Sequence, residues 1–116
     1  MSFTRRNYPR MPLNLPVRVM IDGTWLDDAV CKNISMGGMC ISVEDSIVKN
    51  QQIGKVELHL YHDDEEIVFS GEFVIKWIKL SKNNTTEFGL QFTYYDSLNS
   101  TNLARIVLNQ LDTVQT

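Results

Sequence analysis

The chain has 116 residues, enough for one domain with its own core and too few for two. Hydrophobic residues make up 43% and charged residues 22%, a balance that excludes a disordered chain. The longest apolar runs are only a few residues, so no transmembrane helix is expected. The formal net charge of −3 hides an asymmetry. Residues 1–20 hold four arginines (Arg5, Arg6, Arg10, Arg18) and no acid, while the rest of the chain holds seven basic and fourteen acidic side chains. An acidic body with an arginine-rich arm lacks the basic face of a general nucleic-acid binder and suits a small, multiply charged anion held at one place. No apolar segment or cleavage site follows the arginines as an export signal requires, and the two cysteines, Cys31 and Cys40, are expected reduced in the cytoplasm.

All three prolines fall at Pro9, Pro12 and Pro16. Each fixes its own φ and biases the residue before it to extended geometry, so residues 9–16 are predicted to be extended and semi-rigid within an arginine-rich arm over residues 1–16. Residues 17–116 then form the domain. Val17, Val19 and Ile21 alternate with Arg18 and Met20 and run into Asp22-Gly23, a hairpin signal. Thr24 to Ile34 is the return strand, ended by Ser35-Met36-Gly37-Gly38, and Met39, Ile41 and Val43 mark a third strand. Val56, Leu58 and Leu60 share a face of a fourth, within Lys55 to Tyr61. Asp63-Asp64-Glu65-Glu66 is a turn, because four adjacent acids repel unless solvated. Ile67 to Leu80 is a long strand, with Gly71 as a bulge or corner. Ser81 to Asn84 turns the chain into a sixth strand carrying Phe88, Leu90 and Phe92. The period then changes: Leu103, Ile106, Val107 and Leu111 lie on one face of a helix, with Ser97 as its N-cap. Six strands at short spacing followed by one helix predict an all-β fold, an antiparallel barrel or sandwich with a helix at one mouth or on its side.

Catalysis finds little support. His59 and His62 are three apart, which in a strand sends them to opposite faces, and a zinc site would lack two further ligands. Cys31 and Cys40 flank a turn without partner histidines and read as small core residues. The Asp63–Glu66 run is a solvated loop tip and not a pair of carboxylates with separated pKa values. Ser35 has no histidine near it in sequence, and no phosphate-cradling glycine loop occurs. The chain is therefore expected not to be an enzyme, and to need no metal or cofactor.

Two short patterns remain. Arg6 and Arg10 form an R-x-x-x-R pair with Arg5 in front; guanidinium forks pair bidentately with phosphate or with the guanine edge and stack on planar bases. Asn33-Ile34-Ser35-Met36-Gly37-Gly38 is an N-x-S-x-x-G pattern at the turn between the second and third strands. Asn33 and Ser35 are two apart and, in extended backbone, share a face from which short polar side chains reach a base edge, while Gly38 leaves room for a ligand at the backbone. Taken alone, the second pattern also reads as an ordinary turn.

In this order, and followed by Gly71-Glu72-Phe73-Val74-Ile75-Lys76-Trp77, Phe88-Gly89-Leu90-Gln91-Phe92 and a terminal helix, the patterns resemble the PilZ domain family of bacterial receptors for the second messenger cyclic di-GMP, over nearly the whole chain. The resemblance implies a six-stranded antiparallel β-barrel with a C-terminal helix. It implies that Arg6 and Arg10 grip the phosphates and guanine edges of cyclic di-GMP, and that Asn33, Ser35, Gly37 and Gly38 line the barrel side of the site. Asn33 stands where the family often has aspartate. Arg5 directly before the pair implies two intercalated ligand molecules. Trp77 and Tyr8 are candidate stacking platforms, with core packing expected for the tryptophan and loop shielding for the tyrosine. The implied mechanism is a switch: repulsion keeps the arginine arm mobile until ligand folds it over the Asn33–Gly38 turn, and the new surface signals to a separate effector in motility, pilus, biofilm or exopolysaccharide control. Two rivals are a PilZ-like adaptor that ignores nucleotide and a small barrel binding single-stranded nucleic acid through the arm and surface aromatics; the acidic body and missing basic groove speak against the latter.

Overall fold

The structure, a computed structural model, describes residues 11–44, 48–80 and 83–115, with side chains described for most of these but not for 11–13, 27 or 109–115. Arg5, Arg6, Tyr8 and Arg10, together with Ser81, Lys82 and the side chain of Leu111, lie outside the described residues. The chain forms strands β1 (Met11–Ile21), β2 (Thr24–Ile34), β3 (Gly38–Glu44), β4 (Ile53–His62), β5 (Glu65–Leu80) and β6 (Thr85–Tyr94), then helix α1 (Ser97–Gln115). The strands close into an antiparallel barrel in the order β1-β2-β3-β6-β5-β4. The barrel form of the predicted fold is therefore the one present.

Tight hairpins set the strand boundaries. Asp22 and Gly23, Asp63 and Asp64, and Asn83 and Asn84 all have positive φ. Two consecutive left-handed residues give the turn whose twist matches the flanking strands, and Asp, Asn and Gly tolerate it best. The acidic turn is shorter than its four-residue composition predicts. Only Asp63 and Asp64 turn, and Glu65 and Glu66 already pair with His62 and Tyr61. Charge repulsion is met by pointing the acids into solvent, and ladder pairing can then continue through them.

Strand β1 starts earlier than predicted. Met11 pairs with Ile34 and Pro12 with Asn33, so residues 11–16 of the expected arm are strand. Prolines are tolerated there because β1 pairs with β4 only from Val17 onward, leaving residues 11–16 with a neighbour on one side. Gly71 is not a bulge. It sits in unbroken register with Val56, and a Cβ on it would stand 2.8 Å from the tip of the Phe69 ring, so its small size makes room for that ring.

Alternation places Val17, Val19, Cys31, Ile41, Val56, Leu58, Phe69, Phe73, Ile75, Phe88 and Leu90 inside the barrel. Leu103, Ile106 and Val107 of α1 join this core, each contributing about 1.5–3 kcal/mol by burial. The cap of α1 is Asp96 and not Ser97: the Asp96 carbonyl accepts the first helical bond from Ser100 N–H (2.8 Å), and its carboxylate accepts Asn99 N–H (2.9 Å). Where β6 has ended, α1 also satisfies the free edge of β5. Ser70 N–H donates to Asn99 Oδ1 and Asn102 Nδ2 donates to the Val68 carbonyl, both at 2.8 Å.

Candidate functional site

The turn between β2 and β3 is built by its own polar groups. Ser35 N–H donates to the Gly38 carbonyl (2.9 Å), closing the loop, and Gly37 N–H donates to Ser35 Oγ (3.1 Å). Ser35 is only 3% exposed, so its hydroxyl shapes the turn from inside; the extended geometry that would have aligned it with Asn33 ends at Ile34. Gly38 likewise answers to the barrel. A Cβ there would lie 2.1 Å from the Leu90 carbonyl oxygen, so glycine is what lets β3 close against β6. The turn is then fastened to the end of β6 through two successive carbonyls. Phe92 N–H donates to Gly37 O, and Tyr95 Oη donates to Met36 O, each at 2.9 Å.

Three β-bulges decide what the outer face of the barrel presents. Extra residues fall at Lys32 on β2, Lys76 on β5 and Thr93 on β6. A bulge adds a residue to one strand and re-aims its neighbours, which is why bulges cluster near binding sites. Cys31 and Ile34 are buried inside, so the bulge leaves Asn33 on the outer face. Register then runs from Pro12 through Asn33, Cys40 and Gly89 to Trp77, across five strands. Gly89 alternates with the buried Phe88 and Leu90, so the vacant side-chain position faces outward, and Trp77 fills it: a Cβ on Gly89 would meet the indole Nε1 at 2.0 Å. The tryptophan is 41% exposed and lies on the outside of the barrel, which corrects the expectation of core packing. The bulge at Lys76 is the physical reason, because it shifts the alternation that would have turned the indole inward. Asn33 and Trp77 are three strand spacings apart, about 14 Å measured around the curved barrel wall.

Beside this row, the turn and the end of β6 enclose an open cleft of about 460 Å³ lined by Met36, Gly37, Gln91, Thr93, Tyr94 and Tyr95 among others. Met36 carbonyl and Phe92 N–H are already engaged, so Gln91, Thr93 and the 60%-exposed Tyr94 are the groups able to meet a ligand. Of the residues singled out from sequence, Asn33, Ser35, Gly37 and Gly38 make up the turn and the strand ends beside this cleft, and of the four Gly37 lines it. Gln91, part of the Phe88–Phe92 pattern, is brought to the turn by its register with Gly38, whereas Thr93, Tyr94 and Tyr95 carry no sequence pattern and reach it through the bulge on β6 and the Tyr95–Met36 bond.

The other candidates separate from this face. His59 Nδ1 lies 2.9 Å from Glu66 Oε2 and His62 Nε2 lies 3.3 Å from Asp63 Oδ2, at the far hairpin. Among the described residues no group of three or more His, Cys, Asp or Glu side chains is placed to hold a metal ion. Cys31 and Cys40 are buried and not disulfide-bonded. Among the described residues no helix is long and apolar enough to cross a membrane.

The family model for the PilZ domain matches residues 4–109. The chain belongs to the PilZ family. Its barrel superposes on the solved PilZ domain of YcgR from Escherichia coli with cyclic di-GMP at a TM-score of 0.73, with 18% identity, covering 96% of this chain and 95% of that one. The inhibitor of motility MotI/DgrA from Bacillus subtilis gives a TM-score of 0.78 at 19% identity, over 93% of this chain and 52% of its own, so this PilZ chain spans about half of MotI. The PilZ domain of CeSA from a cellulose-synthesizing bacterium gives 0.58 at 17% identity, over 87% of this chain and 96% of that one. No protein with a curated description matches this chain. PilZ domains are receptor and adaptor domains, in keeping with a site made of a turn, an amide side chain and aromatic rings.

Proposed function

We propose that this PilZ domain is a receptor for cyclic di-GMP, bound on the outside of the barrel between the Asn33–Gly38 turn and Trp77. The observation that carries the reading is the register of β1 on β2. Met11 pairs with Ile34, the residue before Ser35, so Arg10 is joined by one peptide bond to a residue fixed beside the turn. Arg6 and Arg10 then need only a few residues of chain to close over a ligand lying against Asn33. Their guanidinium groups neutralise its phosphates and fork onto guanine edges. Asn33 offers both a donor and an acceptor to a base edge, and the indole of Trp77 offers a flat surface on which a guanine stacks. Gly37 and Gly38 keep the turn low enough for a ring to approach. The PilZ domain of YcgR, solved with the same nucleotide, supports the choice of ligand.

Arg5, directly before the pair, favours two intercalated cyclic di-GMP molecules per domain. The ligand-closed arm would present a new surface to a separate effector protein in the cytoplasm, with motility, pilus, biofilm or exopolysaccharide control as output; MotI, an inhibitor of motility with the same fold, supports an adaptor of this kind.

Each charge-assisted bidentate contact contributes roughly 1.5–3 kcal/mol, so Arg6→Ala or Arg10→Ala should weaken binding by about 10- to 100-fold. Calorimetric titration of cyclic di-GMP reads both affinity and stoichiometry. Wild-type affinity in both variants would remove the arginines from the site, and a stoichiometry of one would remove the intercalated pair. Equal, steeply salt-dependent binding of an unrelated oligonucleotide would favour the nucleic-acid rival instead.

A further inference from the structure

Two residues, Tyr95 and Asp96, join the end of β6 at the ligand face to helix α1, and Tyr95 is held on both sides. Tyr95 Oη donates to the Met36 carbonyl at 2.9 Å across 59 residues of sequence. Its ring packs edge-on against Phe69 and Phe92, with centroids 5.5 and 5.7 Å away, and those two rings lie 5.1 Å from each other. The hydroxyl therefore cannot follow a shift of the turn unless the ring and its backbone move with it. The next residue is Asp96, the N-cap of α1, whose carboxylate receives both the N–H and the Nδ2 of Asn99 at 2.9 Å. Asn99 in turn accepts Ser70 N–H from the unpaired edge of β5. Tyr95 also lines two clefts at this end of the barrel, a larger one at the turn and a smaller one of about 160 Å³ formed with Glu72, Asp96 and Asn99 among others.

We infer that Tyr95 is a positioning residue that couples the Ser35–Gly38 turn to the N-terminal cap of α1, so that a ligand seated on the turn tightens the docking of the helix. The physical basis is a two-state element touched from both ends. The first turn of α1 is either capped by Asp96 and latched to β5 through Asn99, or frayed, and the position of the Met36 carbonyl biases that choice through one side chain and one peptide bond. Helix ends are where local opening is cheapest, so a coupling of a single hydrogen bond's worth is enough to shift it. The inference rests on the proposed function only for the identity of the ligand; the coupling itself belongs to the unliganded fold.

Amide hydrogen exchange followed by NMR on the whole chain tests it without ligand. Tyr95→Phe removes only the hydroxyl, and the expected result is exchange about three- to tenfold faster at Gly37 and also at Asn99 and Ser100, with Ile41 and Leu90 in the barrel wall unchanged. Asn102→Ala, which frees α1 from Val68 by another route, should accelerate Ser100 and, because coupling is reciprocal, Gly37 as well, an effect on Gly37 that Tyr95→Phe in the same chain should remove. Faster exchange at only one end in Tyr95→Phe overturns the coupling, as does an undisturbed Gly37 in Asn102→Ala. Cyclic di-GMP adds a second reading in the wild-type protein: slower exchange at Ser100 as well as at Gly37 supports the inference, and protection confined to the turn overturns it. Absence of any response to the nucleotide speaks against the proposed ligand alone, because the unliganded comparison still decides the role of Tyr95.

Discussion

The Ser35–Gly38 turn and the Asp63–Asp64 turn are both polar, both join neighbouring antiparallel strands, and differ in what holds them. At the acidic hairpin the side chains pair in water, His59 with Glu66 and His62 with Asp63 as near neighbours, and Glu65 with Arg105 of α1 across the surface. At the other turn the polar groups are buried and spent on the backbone, and the anchors come from Phe92 and Tyr95, more than fifty residues away. The acidic turn has more charge and the Ser35 turn has more constraint. A site needs the second, because donors and acceptors held by a packed shell meet a ligand without first being ordered, while solvated carboxylates and imidazoles must be brought together at an entropic cost.

That contrast can be broken from either side. The largest effect is expected for Gly38→Ala. The added methyl collides with the Leu90 carbonyl, a backbone atom, so β3 and β6 must part, at a cost of about 3 kcal/mol seen as a lower urea midpoint. An unshifted midpoint would show that the strand approach is looser than 2.1 Å implies. Ser35→Ala comes next. It strips the acceptor from Gly37 N–H while keeping the backbone trace, and should cost about 1–2 kcal/mol and weaken cyclic di-GMP binding several-fold. Unchanged stability and affinity together would mean that the turn holds its shape without the hydroxyl.

Glu65→Gln at the other turn should do least. The hydrogen bond from Arg105, and then the charge of that guanidinium, hold the Glu65 carboxyl below its ordinary value of 4.5. A carboxyl lowered in the folded state stabilises the fold above its unfolded pKa, and that contribution fades as pH falls through the folded one. The difference between wild type and Glu65→Gln should therefore be constant near neutrality, begin to fall as pH drops through the ordinary value of 4.5, and vanish only below the lowered folded pKa. Because the pair is exposed to solvent, the difference should also shrink in high salt. A gap that survives once the Glu65 carboxyl has titrated, followed by its NMR chemical shift, would mean that the side chains contribute by packing and not by charge.

Most of the fold was legible because its signals are local. Asp22-Gly23 and the alternation on either side of it identify a hairpin within a dozen residues, and the change of period after Tyr95 identifies a helix in the same way. The N-cap was missed by one residue, since Asp96 and Ser97 are both good caps and only the bond to Asn99 separates them. At the site, Asn33 to Gly38 stood out because the residues are contiguous. Trp77 was legible as a candidate stacking platform but not its place on the outside, which depends on a bulge against β6, and Tyr95 did not stand out, since its role depends on a carbonyl 59 residues away.

The amino-acid order alone thus determined the strands, their turns, the helix and the polar turn at Asn33–Gly38, all of which follow from interactions within one or two neighbouring segments. Which side of the barrel those residues face, what stands beside them and how the turn reaches the helix were decided by the tertiary structure. The reason is geometric: a single extra residue in one strand reverses the direction of every side chain beyond it, and such an insertion is defined only against the partner strand.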